Sequence, residues 1–204
     1  MPRRRKSEEC PAPQAPAEDA PPHDPPAAKP KTMPAKPQAP ELAAKLAGLH
    51  SRADAGLRPP KRQPSKLMHR LGLVVHCTAG RRPVKPEDVP GILRRVQAYH
   101  QGNRGWSDVG YHWAVDPWGH VWQLRGWGVV GAHAKTGGHN VKSHGVVLLG
   151  DGSEMTDAER QALLWLIADA DRRCGAGFVR CHGDIPGVSK GCPGPVASEF
   201  VRSL

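Results

Sequence analysis

His76, His182 and Cys192 are the residues whose types and placing suit chemistry best. His76 ends the apolar run "LGLVVH", and His182 ends "FVRCH". Cys192 lies ten residues beyond His182, on "GDIPGVSKGCPG". That stretch is rich in glycine and proline and has little to bury, so it is suited to folding back and holding side chains. Two imidazoles and a thiolate are a good zinc set. Catalytic zinc sites use three protein ligands and leave the fourth position to water, whose pKa the metal lowers to about 7. A plainer reading is open at this point. The chain has 11 histidines, so His76 also reads as a hydrogen-bonded core histidine and Cys192 as an inert buried thiol.

The elements that must position these residues follow from hydrophobic periodicity. Residues 71–75 read as a short strand buried on both faces, ended by Thr-Ala-Gly. In "KPEDVPGILRRVQAYHQ", Ile92, Leu93, Val96 and Tyr99 recur at helical spacing, with Asp88 and Pro90 at the start. "GYHWAVDPWGHVWQL" reads as a hairpin turning at "DPWG". "HGVVLLG" is a further buried strand. "MTDAERQALLWLIADADRRCG" is the clearest helix. Thr156 and Glu159 form a capping box, Leu163, Leu164, Ile167 and Ala168 make the stripe, and Gly175 terminates it. "FVRCH" is a last strand, and "PVASEFVRSL" a terminal helix. This alternation predicts an α/β fold: a single mixed β-sheet flanked by helices.

Composition divides the chain. Fifteen of the 22 prolines lie in residues 1–66, and all six tryptophans lie after residue 100. The expected organisation is a disordered, basic Pro/Ala-rich tail over 1–66 and a catalytic domain over 67–204. Within the tail, Leu42, Leu46, Leu49, Ala53 and Leu57 suggest a short helix over 41–57, weakened by Gly48. The net charge is +10, and residues 1–66 carry 13 Lys+Arg against 7 Asp+Glu. Such a balance favours polyanions, whether nucleic acid, anionic lipid or the acidic polymers of a bacterial envelope, and does not choose among them. The tail lacks interleaved aromatics, so no specific nucleic-acid partner is expected. Five irregularly spaced cysteines make a poor disulfide framework. Neither a secretory signal nor a transmembrane stretch is read, so the chain is expected to be made in the cytoplasm, as a monomer.

Five motifs occur in order: "VVHCTAG", "RGWSDVGYHWAVDPWGHVWQLRGW", "GAHAKTGGHN", "SHGVVLLGD" and "CHGDIPGVSKGCPG". Over about residues 70–195 the chain resembles the zinc-dependent N-acetylmuramoyl-L-alanine amidases of the type 2 family. That family includes the peptidoglycan-recognition proteins, and the likeness is strongest to the lysozyme-type amidases of podophages. The resemblance implies that His76, His182 and Cys192 bind Zn2+ and that Tyr111 and Lys190 are catalytic. It also implies that His133 and Asn140 line the substrate groove. The chemistry is consistent with this. Lys190, close to the metal through Cys192, would stabilise an oxyanion. On a strand Tyr111 and His112 point to opposite faces, so only one can face the metal, and the resemblance selects Tyr111. Cys77 and Cys181 are taken as core, Trp106 and Trp127 as packing residues, and Asp184 as either a support for a histidine ligand or a turn carboxylate. The implied function is hydrolysis of the lactyl–L-alanine amide of peptidoglycan, in a phage or prophage endolysin that reaches the wall after release. A cytosolic amidase recycling soluble anhydro-muropeptides and a non-catalytic peptidoglycan-binding module are the alternatives.

Overall fold

The computed structural model describes residues 46–67, 72–175, 177–188 and 191–204. Among them six strands form one sheet: β1 (Gly48–His50), β2 (Gly72–Cys77), β3 (Trp113–Val115), β4 (His120–Gln123), β5 (Ser143–Leu148) and β6 (Phe178–Cys181). Their spatial order is β1-β4-β3-β5-β2-β6. Only β3 and β4 pair antiparallel; the other neighbours are parallel. The α-helices are α1 (Val89–Gly102), α2 (Asp157–Cys174) and α3 (Pro195–Ser203). This is the mixed α/β sheet with flanking helices that the periodicity predicts.

Helices cover both faces of the sheet. Leu73 and Val75 of β2 join Val146, Leu148, Leu163, Leu166 and Val201 in one cluster, which places α2 and α3 on that face. On the other face Val89 and Leu93 of α1 pack with Ala114, Trp122, Val147 and Leu149. Each fully buried aliphatic side chain contributes about 1.5–3 kcal/mol relative to exposure. Val74 points away from the first cluster, to Ala134 and Ile185. His76, two residues on, comes to the same face as Val74.

Local signals explain the elements. The hairpin turn is fixed by Asp116, whose Oδ1 accepts the N–H groups of Trp118 and His120 at 3.0 Å each. Its Oδ2 accepts from Trp122 Nε1 at 2.9 Å. The capping box of α2 is present: Glu159 N–H donates to Thr156 Oγ1 at 3.1 Å and Thr156 N–H to Glu159 Oε2 at 2.8 Å. The buried stripe of α2 is Ala162, Leu163, Leu166, Ile167 and Ala170, whereas Leu164 and Ala168 are only half-buried. Tyr99, expected on the buried stripe of α1, is 47% exposed.

The helix expected over 41–57 does not form across its described part. Residues 1–45 lie outside the described residues. Gly48–His50 instead pair in parallel with β4, and the His50 ring stacks on Trp122 at 4.0 Å. A short helix carrying a glycine is marginal in water, while an open sheet edge offers a ladder of hydrogen bonds. Arg52 then reaches Asp108 at 2.9 Å and the Leu124 carbonyl at 2.6 Å, and Ala55 is fully buried. The packed chain therefore includes residues well before 67.

Candidate metal centre and its cleft

Sheet register brings the two histidines together. β2 and β6 are parallel neighbours with Val75 opposite Cys181, so the next residues, His76 and His182, lie side by side at the C-terminal ends of the strands. Their ring centroids are 4.3 Å apart. This strand end is where open α/β sheets present ligands. His182 opens a 3₁₀ turn, His182–Asp184, from which the loop to Cys192 departs. The loop closes on itself: Gly183 N–H donates to the Cys192 carbonyl at 2.7 Å. Asp184 pairs with Arg202 of α3 at 2.6 Å, so it anchors the loop rather than a histidine ligand. Gly152 supports the far end. Its φ is +74°, and a Cβ there would overlap the Pro193 carbonyl.

Donor atoms of His76, His182 and Cys192 all lie within 4.8 Å of one another. Ligands about 2.0–2.3 Å from a tetrahedral zinc stand roughly 3.3–3.8 Å apart, so a small contraction suits the set to that ion. Burial, followed by the neighbouring histidines, holds the His76 imidazole neutral, well below its usual range. Burial also lowers His182. Neutral imidazole is the form that ligates metal. The Cys192 sulfur accepts the Cys77 N–H at 3.4 Å. A thiol hydrogen bond with Cys77, and after it burial, pushes the Cys192 thiol up in the metal-free chain. Two adjacent thiols do not both ionise readily. Cys77 was expected to stand apart as core; it is buried but supports the loop cysteine. Cys181 is fully buried core, as expected.

Tyr111 sits beside the histidines, its ring centroid 5.2 Å from that of His76. Burial raises its phenol, so it keeps its proton and acts as a hydrogen-bond donor. His112 is fully buried: its Nε2 donates to the Val129 carbonyl at 2.8 Å and its Nδ1 accepts the Gly145 N–H at 2.7 Å. Its ring serves structure; Tyr111 and His112 stand just before β3 rather than on it. Lys190 lies outside the described residues. His133 is buried against His76, Nδ1 to Nε2 at 3.1 Å. Asn140 Oδ1 accepts the N–H groups of His133 and Ala134, both at 2.8 Å, so its side chain orders this loop. His144 is buried and accepts the Gly128 N–H at 3.1 Å.

A cleft of about 640 Å³ opens over this centre, between α1 and the loops that follow β4 and β6. Arg95, Arg104 and Lys135 supply positive charge, Tyr99, Trp106 and Tyr111 aromatic surface, and no described lining residue is a carboxylate. Trp106 stacks on His100 at 4.7 Å and also lines the cleft, whereas Trp127 packs into the core and donates to Asp169 at 2.9 Å. Arg95, Arg104 and Lys135 were not singled out from the sequence. The usable signal was the exposed pair Arg95 and Tyr99 one turn apart on α1.

A family model described as N-acetylmuramoyl-L-alanine amidase matches residues 68–195. The human N-acetylmuramoyl-L-alanine amidase is 33% identical over 164 residues, 76% of this chain but only 28% of that protein's length. Peptidoglycan-recognition protein SC2 of Drosophila simulans is 32% identical over 157 residues, 75% of this chain and 84% of that protein. Among solved structures, wild-type Drosophila PGRP-LB matches with a TM-score of 0.67 at 28% identity, over 78% of this chain and 95% of that one. A PGRP-LB mutant in complex with tracheal cytotoxin matches with a TM-score of 0.67 at 27% identity, over 79% and 96%. With the family model spanning both histidines and the loop cysteine, this chain belongs to the N-acetylmuramoyl-L-alanine amidase family.

Proposed function

We propose that the chain is a zinc-dependent amidase that hydrolyses the amide between the lactyl group of N-acetylmuramic acid and L-alanine of the stem peptide. In this reading it serves a phage or prophage as a wall-lytic enzyme. The observation that carries the catalytic reading is the convergence of two imidazoles and a thiol at the foot of a cationic cleft. Mixed nitrogen and sulfur donors favour zinc over harder divalent ions. Zinc held there supplies Lewis acidity toward the amide carbonyl and a lowered pKa for nearby water. His76 and His182 offer neutral ring nitrogens, and Cys192 completes the donor set. Tyr111 donates a hydrogen bond to the oxygen that gains charge as the carbonyl is attacked. Lys190, two residues before Cys192 in sequence, adds a cation for the same oxygen. Arg95, Arg104 and Lys135 suit a stem peptide with free carboxylates. A solved relative in the family holds tracheal cytotoxin, which supports a ligand of the same chemistry here. The lytic role rests on the motif resemblance to podophage amidases.

The test is mass spectrometry of fragments released from purified sacculi by the wild-type protein and by Cys192→Ala. Stem peptides with a free N-terminal L-alanine, released by the wild type alone, are the expected result. Cleavage of soluble anhydro-muropeptides but not of sacculi would leave the amidase and remove the lytic role. Relatives named as recognition proteins keep one further reading in view. Binding of sacculi without cleavage of either substrate would favour it.

A further inference from the structure

His133 has hydrogen bonds that the catalytic reading does not use. Its Nε2 lies 3.1 Å from the Ser143 carbonyl oxygen, and its Nδ1 lies 3.1 Å from Nε2 of His76. Both rings are buried, at 7% and 2% exposure, and no carboxylate among the described residues hydrogen-bonds to either. Neutral rings are therefore the forms to weigh. A carbonyl only accepts, so His133 carries its proton on Nε2 and offers the Nδ1 lone pair. The His76 nitrogen facing that lone pair must then be N–H. The free lone pair of His76 is left on Nδ1.

We propose that His133 is a positioning residue for the metal centre: it fixes the tautomer and rotation of the His76 ring so that Nδ1 is the ligand atom. The proposal rests on the reading of His76, His182 and Cys192 as the metal set. Ligating histidines characteristically donate their second N–H to a fixed acceptor. Here the acceptor is another imidazole, held in turn by a strand carbonyl. His133 is not a fourth ligand, because it falls outside the group of donor atoms within 4.8 Å of one another. Both of its nitrogens are engaged, so neither is free to hydrogen-bond a substrate, although the ring edge lines the cleft.

The surrounding sequence holds the ring still. Asn140 Oδ1 accepts the backbone N–H of His133 at 2.8 Å. The ring is wedged against two glycines: a Cβ on Gly131 or on Gly145 would stand 2.6 Å from it. Ser143, which supplies the carbonyl, begins β5, and β5 pairs with β2, the strand that carries His76. The carbonyl that holds His133 and the strand that carries His76 are thus neighbours in one sheet.

The experiment titrates metal-free protein with Zn2+ against a chromophoric chelator at one pH, for wild type, His133→Phe, His133→Asn and Cys192→Ala. His133→Phe keeps a ring but no acceptor and is expected to weaken zinc binding about 10- to 100-fold. His133→Asn places a carbonyl oxygen near the former Nδ1 and is expected to recover much of the loss. Equal affinity for wild type and His133→Phe, or equal loss in the Phe and Asn variants, would overturn the proposal. Zinc binding that Cys192→Ala leaves unchanged would instead overturn the metal set beneath it. If His133→Phe does not fold, nitrogen-15 NMR of the zinc-loaded wild type decides. Protonated Nε2 on both His76 and His133 is expected, and a His76 bound through Nε2 would refute the assignment.

Discussion

The Tyr111 phenol keeps its proton, and no hydrogen bond holds its hydroxyl among the described residues. Its ring packs between His76 and His100, with centroids at 5.2 and 5.6 Å, so Tyr111→Phe keeps the packing and removes only the hydroxyl. Under the proposed mechanism kcat on muropeptides falls about 100- to 1,000-fold, with KM, zinc affinity and melting temperature close to wild type. An unchanged kcat would remove Tyr111 from the chemistry. At this scale the sequence was informative about the candidate metal ligands. The two histidines stand at the ends of apolar runs, Cys192 lies on a glycine- and proline-rich loop, and their types alone suggest a donor set. For His133 and Asn140 it offered only the groove-lining role that the resemblance implies, not their hydrogen bonds. His133 meets a ring 57 positions away, and Asn140 bonds the backbone of its own loop, which residue type and spacing do not reveal.

At the scale of elements, strand register sets the histidines and glycine contacts set the cysteine. Loop 150–153 and the Cys192 loop approach so closely that Gly152 and Gly194 leave no room for a Cβ. Gly152 also takes φ +74° and its carbonyl accepts the Val196 N–H at 3.2 Å, tying the loop to the start of α3. Gly152→Ala must therefore move the backbone that presents Cys192. Zinc affinity in a chelator competition should fall at least about tenfold, and stability should drop by about 1–3 kcal/mol. Wild-type affinity in a folded Gly152→Ala protein would show that the loop tolerates displacement. Strands and helices with strong local signals were legible: the capping box of α2, the turn at Asp116, and the apolar runs of β2 and β5. β1 was not. Its three residues have no strand pattern of their own and gain their place from β4, more than 60 residues later. The stripe on α2 is rotated by one residue from the expected one: Leu163 and Ile167 are buried as expected, while Ala162 and Leu166 take the places of Leu164 and Ala168.

For the whole molecule, β1 changes where the charge lies. Residues 1–45 carry 8 Lys+Arg against 6 Asp+Glu, while residues 46–66 carry 5 against 1. Most of the basic excess first assigned to the tail thus belongs to packed chain. Removing residues 1–45 should leave the melting temperature nearly unchanged. Removing 1–66 should cost on the order of 3 kcal/mol or more, since it takes away β1, buried Ala55 and the Arg52 partner of Asp108. Equal melting temperatures for the two truncations would mean that β1 does not contribute.

The same packing makes the metal-free protein sensitive to mild acid. Burial, followed by the Arg104 and Arg125 charges, lowers His100 from 6.5 to about 4. Burial and nearby histidines hold His112 well below its ordinary value. Between these folded values and 6.5 the unfolded chain binds protons that the folded chain does not, so stability falls as pH falls. It is fully present above about 6.5, and the His100 share is lost by about 4. Arg202 holds the Asp184 carboxyl below its ordinary 3.8, so that contribution is lost only at lower pH. Urea midpoints of metal-free protein should therefore decline steadily from about pH 7 to about pH 4.5. His100→Asn keeps an acceptor for the Gly110 N–H, which His100 Nδ1 accepts at 3.1 Å, but carries no titrating group. Its midpoint should decline less steeply over the same range. A midpoint in the wild type that does not move with pH would mean that these imidazoles are open to solvent and are not held neutral by the fold.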